Sequence, residues 1–359
     1  MLSQEIKQRF TEWWARENTS RPLVRLISYD PSYCTETLPD ISGMGKTPED
    51  YHMSPEFRIA AMDNFVKAYK FWCEAFPYID LNIGPGSMAT YLGSEPGFSF
   101  DTIWYNEIKA ESLSDIEIHY DENAPWWVKH KELLKKAVRL SDGRYPIAIP
   151  DIQENLDILS ALRGAQNLCF DLYDDPEAVK RLQKVIDDAF FRYYDTCYDI
   201  VKLSDESSVF TAFSIWGEKK TAKIQCDFSA MISCETFDEY VLPALERQCN
   251  YLDNILYHLD GKDAIRHLPS LLKIEKLNAI NWTPGAGQPD AGFECWYPLY
   301  DQIIDAGKGI WIGIGDGDVD SWIDRAKKIL KRYGSRGIYF LFGVPDDAGA
   351  KKIIKELHL

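Results

Sequence analysis

The sequence lacks the marks of several common protein classes. Its 359 residues contain eight cysteines but no CxxC pair, no GxxxxGK[ST] phosphate loop and no GxSxG nucleophile motif. The longest apolar runs, such as 309–314, are too short to span a bilayer, and the N-terminus carries no apolar signal segment. Positive charge is also scarce, because 40 Lys and Arg face 56 Asp and Glu, a net charge of −16. We therefore expect a cytoplasmic protein that binds neither nucleic acid nor membrane.

The composition is that of a globular protein, with 45% hydrophobic and 27% charged residues. Short apolar runs rich in β-forming residues alternate with amphipathic segments of helical spacing. The runs are 23–28, 78–83, 146–150, 209–215, 255–259, 279–282, 309–314 and 337–342. Eight strands that alternate with helices are typical of a single (β/α)8 TIM barrel, and a doubly wound sheet is the structural alternative.

The spacing of these runs also predicts the domain organisation. We expect one domain over residues 1–359, with an N-terminal helical extension at 1–20 and insertions in the first half of the chain. The Trp-rich stretch at 85–130 is predicted to cover the mouth of the barrel. In barrels such loops after the strands build the functional site.

The strongest local signal for chemistry is the sequence Tyr-His-Leu-Asp-Gly at 257–261. His258 and Asp260 are two residues apart at the end of a predicted strand, so their side chains share one face. This places an imidazole and a carboxylate at the carboxyl ends of the strands, where barrel enzymes keep their catalytic groups. The structural alternative is that Asp260 caps the next helix and His258 is a hydrogen-bonded rim residue.

A third group for this site is expected from the segment Gln225–Phe228, which follows another short β-rich run. Cys226 or Asp227 is the candidate for a third metal ligand or for an acid or base, although Asp227 is equally suited to cap a helix. His267, seven residues after Asp260, is a further catalytic candidate. A helix residue that bonds a neighbouring carboxylate is its structural alternative.

Aromatic residues supply the candidates for substrate binding. Trp216, Trp282 and Trp104 each lie near a predicted strand end or in the mouth loop, where indoles line pockets for flat or methylated ligands. Gln225 and Tyr257, which flank the candidate metal ligands, are also predicted to contact substrate. The Gly/Pro-rich loop at 281–287 follows a strand directly and allows the backbone to approach a ligand closely.

Several segments together resemble the uroporphyrinogen decarboxylase superfamily, specifically its branch of decarboxylase-like and corrinoid-dependent methyltransferase-like proteins. The resemblance covers most of the chain. It lies in 159–164 with 171–177, in 225–233, 257–268 and 281–287, and in the early segments 88–93 and 102–104. This resemblance implies a single (β/α)8 barrel with its pocket at the carboxyl-terminal mouth.

Two departures from the family pattern distinguish this chain from the decarboxylases and from the coenzyme M methyltransferases. The decarboxylases carry an Arg-rich segment after the first strand, whereas this chain reads RLISYDP at 25–31. The coenzyme M methyltransferases hold zinc with His-x-Cys and a distant Cys, whereas this chain has His258-x-Asp260 and no Cys in its last strand at 339–344. A His and Asp set can still bind zinc, as a harder and weaker ligand set.

The resemblance and the residues together favour a corrinoid-dependent methyltransferase that moves a methyl group from a small O- or N-methylated substrate to a corrinoid protein. His258 and Asp260, with Cys226 or Asp227, would bind zinc or act directly as acid. A decarboxylase of a smaller acid and a non-catalytic ligand-binding barrel are the alternatives. A homodimer is one possible assembly, which the sequence leaves open.

Overall fold

The computed structural model describes residues 2–359, an α/β protein whose largest sheet has seven strands. The strands of the described chain are β1 (Leu23–Tyr29), β2 (Tyr69–Cys73), β3 (Pro96–Phe98), β4 (Ile103–Tyr105), β5 (Ser208–Phe210), β6 (Ile215–Gly217), β7 (Thr221–Gln225), β8 (Asn254–Asp260), β9 (Ala279–Thr283), β10 (Gly309–Ile314) and β11 (Ile338–Phe342). The large sheet has the order β2-β1-β11-β10-β9-β8-β7, and β3–β4 and β5–β6 are separate hairpins.

Parallel pairing dominates the large sheet. Every neighbouring pair from β7 to β11, and the pair β11–β1, is parallel, and only β2 joins β1 in the antiparallel sense. The amino ends of six strands therefore meet at one edge of the sheet and their carboxyl ends at the other. Side chains that follow β7, β8 and β9 are neighbours because those three strands are adjacent.

Two of the predicted strands are reduced to isolated bridges. Within the runs 78–83 and 146–150, parallel bridges join Ile79 to Ile147 and Ile149 to Phe210. Prolines at both ends of the second run have no N–H to donate to a ladder, which limits pairing there. The predicted strand at 209–215 is also wrong, because the chain turns back after β5 to form β6, whereas the short β-rich run expected next to Gln225–Phe228 is present as β7. Hydrogen bonding in residues 2–359 thus shows an open, mostly parallel sheet, and the predicted closed barrel is not confirmed.

Helices surround the sheet and fill most connections between its strands. They are α1 (Gln4–Trp14), α2 (Pro48–Met53), α3 (Pro55–Ala68), α4 (Ser87–Tyr91), α5 (Pro125–Ser141), α6 (Asn155–Arg163), α7 (Ala165–Asp174), α8 (Pro176–Val201), α9 (Cys234–Thr236), α10 (Leu242–Tyr251), α11 (Leu268–Leu271), α12 (Tyr297–Asp305), α13 (Val319–Tyr333) and α14 (Asp347–Leu357). A π-helical turn, Phe237–Val241, joins α9 to α10, and Pro243 just beyond it has no N–H for the regular helical bond.

Local sequence explains where the long helices begin and end. The Asp175 carboxylate accepts a hydrogen bond from the Ala178 N–H, and Pro176 occupies the first turn of α8. Asp318 caps α13 in the same way, and α13 ends at Gly334, whose φ of 71° is readily adopted only by glycine.

The helix predicted within residues 1–20 is α1, and it covers the amino ends of the strands. The Trp13 indole donates to the Gly337 carbonyl at 2.9 Å, and the Trp14 indole donates to the Trp216 carbonyl at 2.8 Å. Phe10 is fully buried and packs edge-on against Tyr339. Aromatic packing therefore closes this end of the sheet.

The segment 85–130 contains α4, the β3–β4 hairpin and the start of α5. Its hairpin is tied to the turn that precedes α4, because the Tyr105 hydroxyl donates to the Ile83 carbonyl and accepts the Gly86 N–H. A Cβ at Gly86 would lie 2.4 Å from the Tyr105 ring, so only glycine fits there. Tyr105 thereby reaches a cleft next to the residues that follow β7.

Two further features of the described residues bear on the sequence predictions. No helix in 2–359 combines the length and the apolar character needed to cross a membrane. All eight cysteines are free thiols.

Candidate metal centre

Polar side chains gather where β7, β8 and β9 end. The strand register sets Gln225 beside His258 and His258 beside Asn281, so one row of side chains crosses the three strands. Successive residues of a strand point to opposite faces. The side chains of Lys223, Gln225 and Asp227 form a hydrogen-bonded chain on one face: Lys223 Nζ donates to Gln225 Oε1, and Gln225 Nε2 donates to Asp227 Oδ2.

Asp227, His258 and Asp260 converge at this edge. One possible ligand atom from each residue lies within 4.8 Å of the others. The structure therefore brings together the two residues expected from the His-x-Asp pattern and one of the two candidates for a third. Asp260 does not cap the following turn, since the cap position belongs to Gly261.

Hydrogen bonding fixes the orientation of the His258 ring. Its Nδ1 lies 2.5 Å from Asn281 Oδ1, an acceptor, so Nδ1 carries the proton and Nε2 presents a lone pair. Burial, followed by the positive charge of Lys223, lowers the pKa of His258 below its usual value. The imidazole is therefore neutral near pH 7, which is the form that binds metal ions.

A strained turn places Phe213 against this imidazole. The two ring centroids are 4.8 Å apart, and the Phe213 carbonyl accepts a hydrogen bond from the Trp311 indole. Phe213 and Ser214 have φ values of 62° and 51°, which non-glycine residues rarely adopt. Backbone strain of this kind concentrates at functional sites.

Asp227 is positioned by its neighbours and its carboxylate keeps free lone pairs. The Asp157 carboxylate, from α6, caps the turn by accepting the N–H groups of Asp227 and Phe228 at 2.9 and 2.8 Å. Asp227 is thus the first residue of the capped turn and not its cap. Although the residue is exposed at the rim, burial of its carboxyl, followed by the negative charge of Asp157, raises the pKa of Asp227 to about 7.

One cation lies beneath these carboxylates. Lys223 is only 2% exposed, and its ammonium nitrogen lies 2.8 Å from Asp151 Oδ1 without hydrogen-bond alignment. It also donates to Gln225, as described above. The charge of Lys223 is therefore shared with Asp151, and among the residues that the structure describes the three converging groups above it have no basic partner of their own.

Cys226 and Tyr257 are buried on the face opposite to this cluster. Cys226 lies between Gln225 and Asp227, and Tyr257 precedes His258, so both alternate away from the converging groups. Cys226 is 2% exposed, and burial raises the pKa of its thiol well above the usual value. The predictions of Cys226 as a metal ligand and of Tyr257 as a substrate contact therefore do not fit their placement.

Trp216 lies at the opposite end of the sheet from the cluster. Because the chain reverses at Phe213 and Ser214, β6 runs back toward the amino ends of the strands. There Trp216 is 2% exposed and packs against Phe10 of α1. It is a packing residue in this structure, not a wall of the predicted substrate pocket.

The remaining candidates also lie outside the converging group. Trp282 is 1% exposed and packs on Trp296, on the face of β9 opposite to Asn281. Trp104 lies on β4 and is 48% exposed, with its ring over Gly97 in the hairpin. His267 is buried, stacks on Phe237 and bonds the Ser229 carbonyl through Nε2, which is a structural role.

Sequence reasoning missed four residues that shape the site: Asp157, Lys223, Asn281 and Phe213. Lys223 could have been predicted to lie on the face of the site, because 223, 225 and 227 are alternate polar positions next to the apolar residues 222 and 224. Asn281 is likewise a polar residue inside a β-rich run. Asp157 gave no signal, since it belongs to a helix 70 residues away from the N–H group that it caps.

Comparisons with known proteins support the fold. A comparison of the sequence with protein-family profiles finds no match, and a comparison with curated proteins finds none. Among solved structures, the chain is similar to a methyltransferase from Methanosarcina mazei, with a TM-score of 0.64 and 10% sequence identity. The similarity covers 99% of each chain. This chain therefore shares the whole fold of that methyltransferase.

Proposed function

We propose that this protein is a metal-dependent methyltransferase that moves a methyl group from a small O- or N-methylated substrate to a corrinoid carried by a partner protein. The observation that carries the proposal is the convergence of Asp227, His258 and Asp260 at the carboxyl ends of adjacent parallel strands. The fold shared with a methyltransferase supports the reaction class. The carboxyl edge is also where α/β enzymes of this kind bind substrates.

The donor set fits a divalent metal ion such as zinc. Zinc accepts an imidazole nitrogen and carboxylate oxygens, and three protein ligands with one open position are typical of its catalytic sites. Asp227, His258 and Asp260 would hold it, with ligand atoms already within 4.8 Å of one another. When bound, such an ion supplies a Lewis acid that stabilises negative charge on an oxygen or nitrogen of the substrate.

Neighbouring residues prepare these ligands. Asn281 holds the Nδ1–H of His258, which leaves Nε2 free to bind. Gln225 holds Asp227 at 2.6 Å, and Asp157 fixes the backbone of the turn that carries it. Without a metal, the raised pKa of Asp227 makes it the group placed to give a proton to a departing oxygen.

The proposal also covers the closure of the sheet into a barrel and the superfamily to which the chain is related. We infer that the sheet and the bridges at 79, 147, 149 and 210 are parts of one eight-stranded barrel, in a divergent relative of the uroporphyrinogen decarboxylase superfamily. Parallel pairing of β11 with β1 joins the last strand to the first, as barrel closure requires. The bridges continue the parallel arrangement from 79 to 210.

The charges of the site favour this proposal over decarboxylation. A decarboxylase needs cations that hold a carboxylate substrate and stabilise the carbanion. Around Asp227 and Asp260 the basic side chain is Lys223, which is already paired with Asp151. Negative charge at this edge repels an acid and attracts a metal ion.

The experiment is methyl transfer by zinc-loaded protein. Labelled O- and N-methylated compounds are incubated with the enzyme and a reduced cobalamin acceptor, and transfer of label is compared between wild type and His258→Ala. We expect transfer that is lost in the variant, with Tyr173→Ala as the control, because Tyr173 is 85% exposed on α7. Zinc binding without transfer from any donor would overturn the reaction, and unchanged transfer in His258→Ala would overturn the site.

A further inference from the structure

A cleft of about 320 Å³ opens directly beside Asp227. Asp157 and Asp227 contribute carboxylates to its lining, and Tyr105, Phe228 and Met231 contribute apolar surface. None of the residues that line it is Lys, Arg or His. Its volume is at the lower end of the range for small-molecule sites.

This lining combines two features that a single kind of ligand satisfies. The carboxylates attract a positive charge, and the Tyr105 ring and the Met231 side chain, which is 52% exposed, provide apolar contact. A bare metal ion or a primary ammonium would leave the apolar wall without a partner. A neutral apolar ligand would leave the negative charges of the two carboxylates without a counter-charge, although both already accept N–H hydrogen bonds.

The charge balance of the site also favours a positively charged ligand. Four carboxylates, of Asp151, Asp157, Asp227 and Asp260, act on one another or on the same neighbours, with Lys223 as the ammonium among them. With all four ionised, three negative charges remain. A divalent ion bound by Asp227, His258 and Asp260 would leave one, which a monocation neutralises.

We propose that this cleft binds a methylated ammonium ion, with its methyl groups against Tyr105 and Met231 and its charge beside Asp157 and Asp227. The inference rests on the proposed function and deepens it, because it selects the N-methylated cation among the methyl donors considered there. Tyr105 comes from the hairpin of the 85–130 segment and Met231 from the turn after β7. The cleft therefore forms only when the hairpin is seated on the turn before α4.

Choline and 3,3-dimethyl-1-butanol provide the test, because they have the same shape and differ in the charge of the central atom. Their binding to zinc-loaded and metal-free protein is measured by isothermal titration calorimetry at pH 8 and low salt. We expect choline to bind about tenfold more tightly than the neutral analogue in both forms. In metal-free protein, Asp227→Asn removes a negative charge from the lining, so it should weaken choline binding about threefold to tenfold and leave the neutral analogue unchanged.

Asp174→Asn is the matched control, because it removes the same charge at an exposed position at the end of α7 that does not line the cleft. Its choline affinity should equal that of wild type. Equal affinity for choline and the neutral analogue, or no binding of choline to either form, would overturn the inference. Stoichiometric zinc without choline selectivity leaves the proposed metal centre standing, whereas choline selectivity without zinc removes the metal centre and retains the cleft.

Discussion

At the amino ends of the strands, the carboxylate of Glu74 is buried and fully paired. Arg21 bonds both of its oxygens at 3.1 and 2.6 Å, Arg9 approaches at 3.4 Å, and the Val24 N–H donates at 2.8 Å. At the carboxyl ends, Asp227 and Asp260 meet His258, and within residues 2–359 no guanidinium or ammonium is bonded to either carboxylate. The same sheet therefore carries, at one end, a cluster whose carboxylate has all its hydrogen-bond partners (the saturated cluster) and, at the other end, a cluster whose carboxylates keep free lone pairs (the unsaturated cluster).

The difference indicates which cluster holds the fold and which one binds a ligand. Every acceptor of Glu74 has a donor, so no bonding capacity is left for a ligand. The Asp227, His258 and Asp260 group retains lone pairs that point to one small region, and the pKa of Asp227 is raised to about 7. Perturbed groups in an open cleft are typical of functional sites, whereas saturated buried pairs are typical of structure.

The largest expected effect is on stability, from Glu74→Gln. This variant leaves Arg9 and Arg21 without a buried counter-charge, and we expect a loss of about 3–5 kcal/mol in the free energy of unfolding. Urea denaturation measures it, and zinc binding by the folded variant should stay unchanged. Glu36→Gln is the matched control, since its exposed pair with Lys67 is worth about 0–1 kcal/mol. A loss below about 1 kcal/mol in Glu74→Gln would contradict a structural role.

Asp187 tests an intermediate case, a buried carboxyl with a single main-chain donor, the Asn155 N–H. Burial raises the pKa of Asp187 to about 7, so the folded state binds the proton more tightly than the unfolded state. Its contribution to stability is therefore present at about pH 4 and is lost as pH rises toward 7. We expect Asp187→Asn to flatten this decline and to exceed wild type at pH 8 by on the order of 2–4 kcal/mol.

The adjacent Asp188 gives the control for this measurement. Lys184 and Arg247 bond it, and these pairs lower the pKa of Asp188, so its contribution has the opposite sign and is lost as pH falls. Thermal unfolding of Asp187→Asn and Asp188→Asn between pH 2 and 8 compares the two, because the contribution of Asp188 is lost only below about pH 4. If Asp187→Asn follows the wild-type pH profile, Asp187 is not the buried acid that the structure indicates.

A smaller effect is expected for the residue behind the metal ligands. Asn281→Leu removes the acceptor for His258 Nδ1–H, and we expect zinc affinity to fall about 10-fold to 100-fold with little change in stability. Asn281→Asp keeps an acceptor and should retain wild-type affinity. Competition with a chromophoric chelator measures both variants. Equal loss in Asn281→Leu and Asn281→Asp would show that the hydrogen bond does not position His258.

Hydrophobic periodicity predicted much of the fold. The predicted runs that became β1, β8, β9, β10 and β11 lie within a residue or two of their observed bounds. The period of two also predicted correctly that His258 and Asp260 share a face. The same alternation places Cys226 and Tyr257 on the opposite face, so it would have excluded Cys226 as a metal ligand and Tyr257 as a substrate contact.

The rest depended on contacts that are distant in sequence or on a backbone reversal. The turn at Phe213 and Ser214 contains no glycine, proline or asparagine. The sequence therefore did not predict the chain reversal that returns Trp216 to the amino ends of the strands. The cap supplied by Asp157 joins α6 to the turn after β7, and only the folded chain shows it. Periodicity describes a local segment, whereas these features come from tertiary packing.

The most direct test of the account is the metal content of protein purified without a metal-affinity tag and dialysed against zinc. Elemental analysis of wild type should give about one zinc per chain, and His258→Ala and Asp260→Asn should each give little or none while they unfold as wild type does. Glu74→Gln, at the saturated end, should retain its zinc. Wild-type protein without zinc, or variants of His258 and Asp260 that keep it, would contradict the assignment of the carboxyl-end cluster as a metal centre.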